Sequence, residues 1–228
     1  MSRITKSLEQ IADKARASLS TKDAAREKAL KLSRDTVRHS ADAIRAVHRG
    51  EYDEARSRLS AARDLLKELD VALVDQPEFL YSGFVFSGQK EYVEGCITLS
   101  LITENTLPGP DELGIGAAAY LNGLGEAVGE LRRHVLDLIR KGEVQRCEEL
   151  LEFMDDMYGV MVTMDFPEAM TGGLRRTTDA VRGILERTRG DLTVAFRQWD
   201  LEAKLAAFEE RLKRSSESSD QGGAALSP

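Results

Sequence analysis

Proline, aromatic residues and cysteine are all scarce in this chain. Five prolines in 228 residues leave long stretches without the residue that breaks a helix. Aromatics make up only 6%. The two cysteines, Cys96 and Cys147, stand in no metal-binding spacing, which excludes a zinc cluster and a disulfide framework and points to a reducing compartment. No apolar run reaches the roughly 18 residues of a membrane span, and the stretch MSRITKSLEQIADKA lacks the apolar core of a signal peptide. A cytoplasmic protein is expected. Positive charge is not in excess either. A formal net charge of −7 excludes a generic nucleic-acid binder, unless arginines gather on one surface.

Familiar catalytic signatures are also missing. There is no G-x-S-x-G, and neither cysteine has a histidine near it in sequence. The segment GPDELGIG lacks the lysine of a phosphate-binding loop and follows no strand. His39, His48 and His134 never fall three residues after a glutamate, which argues against a di-iron bundle. These histidines read as surface residues. Trp199 and the scattered Tyr and Phe read as core.

What the chain does contain is helix-forming sequence. Hydrophobic residues are 42% and charged residues 31% of the total, and Ala, Leu, Glu, Arg and Lys dominate long segments. Apolar spacing predicts a helix over 3–19 and a second from a Ser20 or Thr21 cap to Gly50. A third, over about 51–73, closes a hairpin at HRGEY. Pro77 breaks the chain. Further helices are predicted over about 78–102, 115–140, 143–164 and 174–208, with ENTLPGPDELG and DFPEAMTGG as loops. No strand alternation of useful length is visible. The expected architecture is all-α: one seven-helix antiparallel bundle over residues 1–214, with a polar tail over 215–228 expected to be disordered.

Two acidic pairs stand out on otherwise apolar helices. Glu91 and Glu94, in QKEYVEGC, are three apart and face the same way on a helix. Glu126 and Glu130, in GLGEAVGELRR, are four apart on the next long helix. Like charges at this spacing destabilise a helix by a few tenths of a kcal/mol. Antiparallel neighbours would bring the pairs into one patch. Four carboxylates suit a hard ion such as Mg²⁺ or Mn²⁺, and such ions activate water for displacement at phosphorus. Spacing alone leaves the bland reading open: a solvated helix face, with Glu130 paired to Arg133. Two basic groups could meet phosphates: Arg132 and Arg133 beside Arg140 and Lys141, and Arg175, Arg176 and Arg182 in GGLRRTTDAVRG. Solvation, or pairing of Arg182 with Asp179, is the alternative.

Four of these segments resemble motifs of the translin family, which comprises translin and translin-associated factor X. EYVEG resembles the factor X motif EYVEA. GLGEAVGELRR resembles that branch's second acidic segment before arginine. GGLRRTTDAVRG resembles translin's LRR-x-x-D-x-x-K stretch, and IRAVHRGEYDEARSRL its hairpin around V-H-Q-G. They occur in family order and span roughly residues 20–200.

The resemblance implies a seven-helix bundle that assembles into an octameric shell around single-stranded RNA or DNA. In the factor X branch it implies a metal-dependent endoribonuclease, with Glu91, Glu94, Glu126 and Glu130 as metal-holding catalytic acids. Arg132, Arg133, Arg175, Arg176 and Arg182 are the expected nucleic-acid contacts. A non-catalytic octameric binding module for RNA or DNA is the alternative. Glu126 stands where that branch usually has Asp. PEFLYSGFVFSG is apolar where translin carries a basic nucleic-acid segment. The compact chain suggests self-assembly, with an apolar interface around Val194, Phe196, Trp199 and Leu205.

Overall fold

The structure, a computed structural model, describes residues 3–143 and 145–222, with side chains as far as residue 214. Those residues are all-α, as the composition and spacing require. The elements are α1 (Arg3–Arg49), α2 (Tyr52–Ala72), a 3₁₀ turn (Pro77–Tyr81), α3 (Gly83–Thr103), α4 (Pro110–Leu113), α5 (Ala117–Lys141), α6 (Gln145–Val162), α7 (Glu168–Thr171) and α8 (Leu174–Gly222).

The helix inventory differs from expectation at three places. The two helices expected over 3–50 are one continuous helix of 47 residues. Ser20 and Thr21 do not cap anything. The Thr21 hydroxyl instead donates back to the Ala17 carbonyl at 3.1 Å, and strong helix formers follow with no breaker. The two proline-containing loops each hold a single helical turn, α4 and α7. Finally, α8 runs past Phe208 to Gly222, because residues 201–214 contain neither proline nor glycine. It thereby enters the segment expected as tail. Residues 223–228 of that segment lie outside the described residues.

Helices α3 and α5 form the centre. α3 packs on α1, α2 and α5, while α5 packs on α3, α6 and α8. The α1–α2 hairpin therefore covers one side of the central pair, and α6 with α8 covers the other. Gly50 makes the hairpin turn at φ 76°, a backbone conformation that side chains other than glycine resist.

The core is continuous across these layers. Tyr92, Val93 and Ile97 of α3 meet Leu124, Val128 and Leu131 of α5, with Val47, Leu59 and Met154 from the flanking helices in the same cluster. Each fully buried side chain of this size contributes about 1.5–3 kcal/mol. Because α3 is enclosed on several sides, its sequence is apolar nearly all round, and its glutamates cannot all reach bulk water.

Direction along the central pair is fixed by close approaches. A Cβ on Gly123 would lie 2.7 Å from the Lys90 carbonyl oxygen and 2.7 Å from the Val93 Cβ. Lys90 in turn reaches Glu126. One index falls as the other rises, so α3 and α5 are antiparallel, and the bare surface at Gly123 lets their backbones approach. The α7–α8 elbow is tied to α5 by Asn122, whose Nδ2 donates to the Thr171 carbonyl and whose Oδ1 accepts from the Thr177 hydroxyl, each at 2.8 Å. Among the described residues no helix is long and apolar enough to cross a membrane.

A candidate metal centre between the central helices

Antiparallel packing of α3 on α5 places Glu91 and Glu94 opposite Glu126. One carboxylate oxygen from each lies within 4.8 Å of the others. All three are at least partly shielded from water rather than on an open helix face. Glu94 is 9% exposed and has no hydrogen-bond or ion-pair partner among the described residues. Burial first, and then the charges of Glu126, Glu91 and Glu130, pushes its carboxyl up to about 8. Glu91 is also raised, by burial and then by Glu126. Carboxylates crowded in a poorly hydrated cleft destabilise one another unless a cation or shared protons intervene.

One cation is already there. The Lys90 Nζ lies 2.5 Å from Glu126 Oε1, and both side chains are largely shielded from water. Its charge pulls the Glu91 and Glu94 carboxyls down, against the larger effect of burial. Lys90 was not singled out by sequence spacing. It points off the same α3 segment as Glu91, but only the approach of α5 gives it a partner.

The fourth acid behaves differently. Glu130 is one helical turn beyond Glu126, and it does not belong to the group of oxygens that could share one ion. Its Oε2 lies 2.5 Å from His48 Nε2, across from the last turn of α1, and 3.7 Å from Arg133. The His48 hydrogen bond holds the Glu130 carboxyl below the usual carboxylate range, against an opposing effect of burial. The expected Arg133 pair is thus present, with a stronger partner beside it.

The histidines are not surface residues. The His48 side chain is 4% exposed, and none of the three falls in the exposed class. Burial lowers the His134 pKa, and the nearby His48 lowers it further. The position of His48 beside Val47, a core residue of the α1 stripe, was the available signal. Trp199 also departs from expectation: it is exposed on α8 rather than in the core.

The arginines divide. Arg132 is committed to holding α5 on α8, donating to the Thr188 hydroxyl at 2.9 Å and to Asp191 at 2.7 Å. Arg133, Arg175, Arg176 and Arg182 are exposed. Arg182 lies 3.6 Å from Asp179, the pairing expected from their spacing. Arg175 and Arg182 flank an open groove of about 800 Å³ that also presents Tyr158, Met164, Phe166 and Thr178. The start of α8 abuts Gly125, the residue before Glu126, through Thr177. The arginine-bearing turns therefore border the helix that carries the acid.

Known proteins share this arrangement of helices. No family model matches the chain. An uncharacterized protein of Methanocaldococcus jannaschii is 35% identical over 176 residues, spanning 76% of this chain and 78% of that protein. A solved structure described as AfC3PO in complex with duplex RNA is 33% identical, covers 82% of this chain and 97% of its own, and superposes with a TM-score of 0.76. A second structure of AfC3PO is 32% identical over the same shares, with a TM-score of 0.73. An apo NeC3PO structure, 22% identical with a TM-score of 0.69, shares the fold. These C3PO structures are translin-family chains, and this chain belongs to the translin family.

Proposed function

We propose that this member of the translin family is an RNA-binding protein that works as an oligomer and cleaves RNA with the help of a divalent ion held by Glu91, Glu94 and Glu126. The observation that carries the reading is the convergence of three carboxylates, from two helices, in a fold whose relative is described with duplex RNA.

The donor set fits a hard ion such as Mg²⁺ or Mn²⁺. It offers carboxylate oxygens and no sulfur, and the buried Glu94 has no other partner among the described residues to satisfy its charge. When bound, such an ion supplies Lewis acidity toward water and toward the oxygens of a phosphodiester. The remaining work falls to the chain. Glu91 and Glu94 are fixed on one face of α3 and Glu126 is set by the close α3–α5 contact, so little is reorganised on binding. His48 holds Glu130 one turn from Glu126, where its carboxylate can accept a proton from the attacking water. Lys90 and the exposed arginines offset the charge of the RNA backbone. The groove beside Arg175 and Arg182, with Phe166 on its wall, suits phosphates and a stacked base.

A second reading has its own support. Lys90 already neutralises Glu126, so the acids can serve a binding protein that does not cut. Single-stranded and duplex RNA, and single-stranded DNA, should each be incubated with the full chain, with and without Mg²⁺ or Mn²⁺. Metal-dependent cleavage that Glu126→Ala removes, with RNA binding and assembly intact, is the expected result. Salt-sensitive binding with no cleavage in any metal selects the binding module instead. Light scattering gives the assembly mass, for which an octamer is the proposed state.

A further inference from the structure

Helices α1 and α5 both pack on α3 but scarcely on each other. The pair of His48 and Glu130 bridges them. A cleft therefore lies between α1 and α5, with α3 as its floor. Glu91 and Glu94 stand on that floor, within reach of the charges of Glu126 and Glu130 on α5. Two contacts orient the α1 wall. Ser33 faces α3, its hydroxyl donating to the Phe84 carbonyl at 2.5 Å, whereas His48 faces α5. At about 100° per residue, Val37 and Ala41 fall on the His48 side, and both are half-buried. Arg34, Arg38 and Arg45 lie farther round, within roughly 80° of His48, and all three are exposed. They form the rim of the wall.

The turn of α3 just before Glu91 ties this rim to the arginines of α8. On one side it meets Ser33: a Cβ on Gly88 would lie 2.9 Å from the Ser33 hydroxyl. On the other it meets the α7–α8 elbow: a Cβ on Gly172 would lie 2.6 Å from the Phe86 ring. Phe86 is two residues from Phe84 and two from Gly88, so it projects about 160° round the helix from either. Arg34 follows Ser33, and Arg175 and Arg176 follow Gly172 closely. These arginines therefore flank, from opposite sides, the turn that leads into the acids.

We infer that Arg34, with Arg38 and Arg45 behind it, holds the RNA backbone on the α1 side of the acidic cleft, opposite Arg175 and Arg176. A strand gripped on both sides lies across the acids between them. This role presupposes that the chain binds RNA, as proposed above. The charges are available for it. Arg34 has no hydrogen-bond or ion-pair partner among the described residues. Arg38 and Arg45 pair with Asp35 and Asp42, each three residues earlier, but both arginine side chains are more than half exposed and such pairs exchange at little cost. In a chain of net charge −7, three arginines on one flank of a helix are a local reversal of sign that attracts a polyanion. Contacts of this kind position a backbone and carry no base preference.

Binding of a labelled single-stranded oligoribonucleotide to the full-length chain, measured across a range of salt concentrations, tests the role. Arg34→Gln should weaken binding about fivefold at ~0.1 M salt and flatten the log–log salt dependence by about 0.7, the loss of one phosphate contact. Arg34→Lys should keep the parent slope. Arg34→Gln, Arg38→Gln and Arg45→Gln together should flatten it by roughly 2. A control variant, Lys6→Gln with Lys14→Gln and Arg16→Gln, removes the same charge from the same helix about 27 Å or more from Arg34, and should leave the slope unchanged. Mn²⁺ titration and light scattering check that the acids and the assembly are intact. Equal binding by the parent and the Arg34, Arg38 and Arg45 variant overturns the proposal and leaves RNA binding standing. So does an equal loss in the control variant, which would make net charge the cause. A parent chain that binds no RNA overturns both.

Discussion

The imidazole Nε2 of His48 lies 2.5 Å from a carboxylate oxygen of Glu130, a residue 82 positions away, and joins the end of α1 to the middle of α5. This contact, more than any helical neighbour, sets the state of Glu130. The carboxyl is held below its ordinary value in the fold, so the unfolded chain binds more protons in that range. The pair therefore contributes stability that is present above the ordinary carboxylate pKa of 4.5 and is lost as pH falls toward the lowered value. His48→Gln should lower stability by about 1–3 kcal/mol at pH 7. It should also make the loss of stability below pH 4.5 shallower than in the parent chain. Urea unfolding across pH 3–7 checks both; parallel curves for the two chains would show that the pair is not coupled to folding.

Glu94 predicts the opposite slope. Its carboxyl is raised from 4.5 to about 8, so the folded state holds the extra proton between those values. Without divalent metal, this group's contribution is present below pH 4.5 and lost as pH rises through 8. Glu94→Gln should flatten that decline and stabilise the metal-free chain at pH 8 and above. Thermal melts at pH 5 and pH 8.5 measure it, and a mutant no more stable than the parent at pH 8.5 would count against the burial argument.

Metal addition should show the same linkage. Holding an ion requires deprotonated carboxylates, so Mn²⁺ should raise the melting temperature much more at pH 8 than at pH 5 and release protons as it binds. Chelator should reverse the shift. Calorimetry in buffers of different ionisation enthalpy counts the protons, and a pH-independent stabilisation would place the ion elsewhere.

Lys90 competes with any added cation for Glu126. Lys90→Met should therefore tighten Mn²⁺ binding by about tenfold, equivalent to ~1.4 kcal/mol, while destabilising the metal-free chain. Equilibrium titration of both chains tests it. Unchanged affinity would mean that Lys90 swings aside freely.

Gly123 and Gly129 lie six residues apart on α5 with contrasting surroundings. An alanine at 123 would press a Cβ to 2.7 Å from the Lys90 carbonyl, a backbone atom that cannot rotate away, whereas position 129 has nothing within 4 Å. Gly123→Ala should cost about 1–3 kcal/mol and weaken metal binding by moving α3 off α5. Gly129→Ala should stabilise by about 0.5–1 kcal/mol through helix propensity. Chemical denaturation of the two variants gives the contrast directly.

Periodicity alone established the all-α class and the long packed helices from α2 onward, because apolar side chains must share a face wherever a helix packs, and that spacing is written locally. The same spacing put Glu91 beside Glu94, and Glu126 near Glu130. Local sequence also suggested a break at Ser20–Thr21, but those residues only permit a cap; they do not force one, and the helix formers around them carried α1 through. Which carboxylates meet was decided only by tertiary structure. Gly123 lets α3 approach α5 until Glu126 reaches Glu91 and Glu94, while the arrival of His48 from α1 turns Glu130 toward a different partner. The Lys90–Glu126 and His48–Glu130 pairings are silent in the sequence for one reason: an ion pair between residues tens of positions apart leaves no periodic trace until packing brings its two ends together.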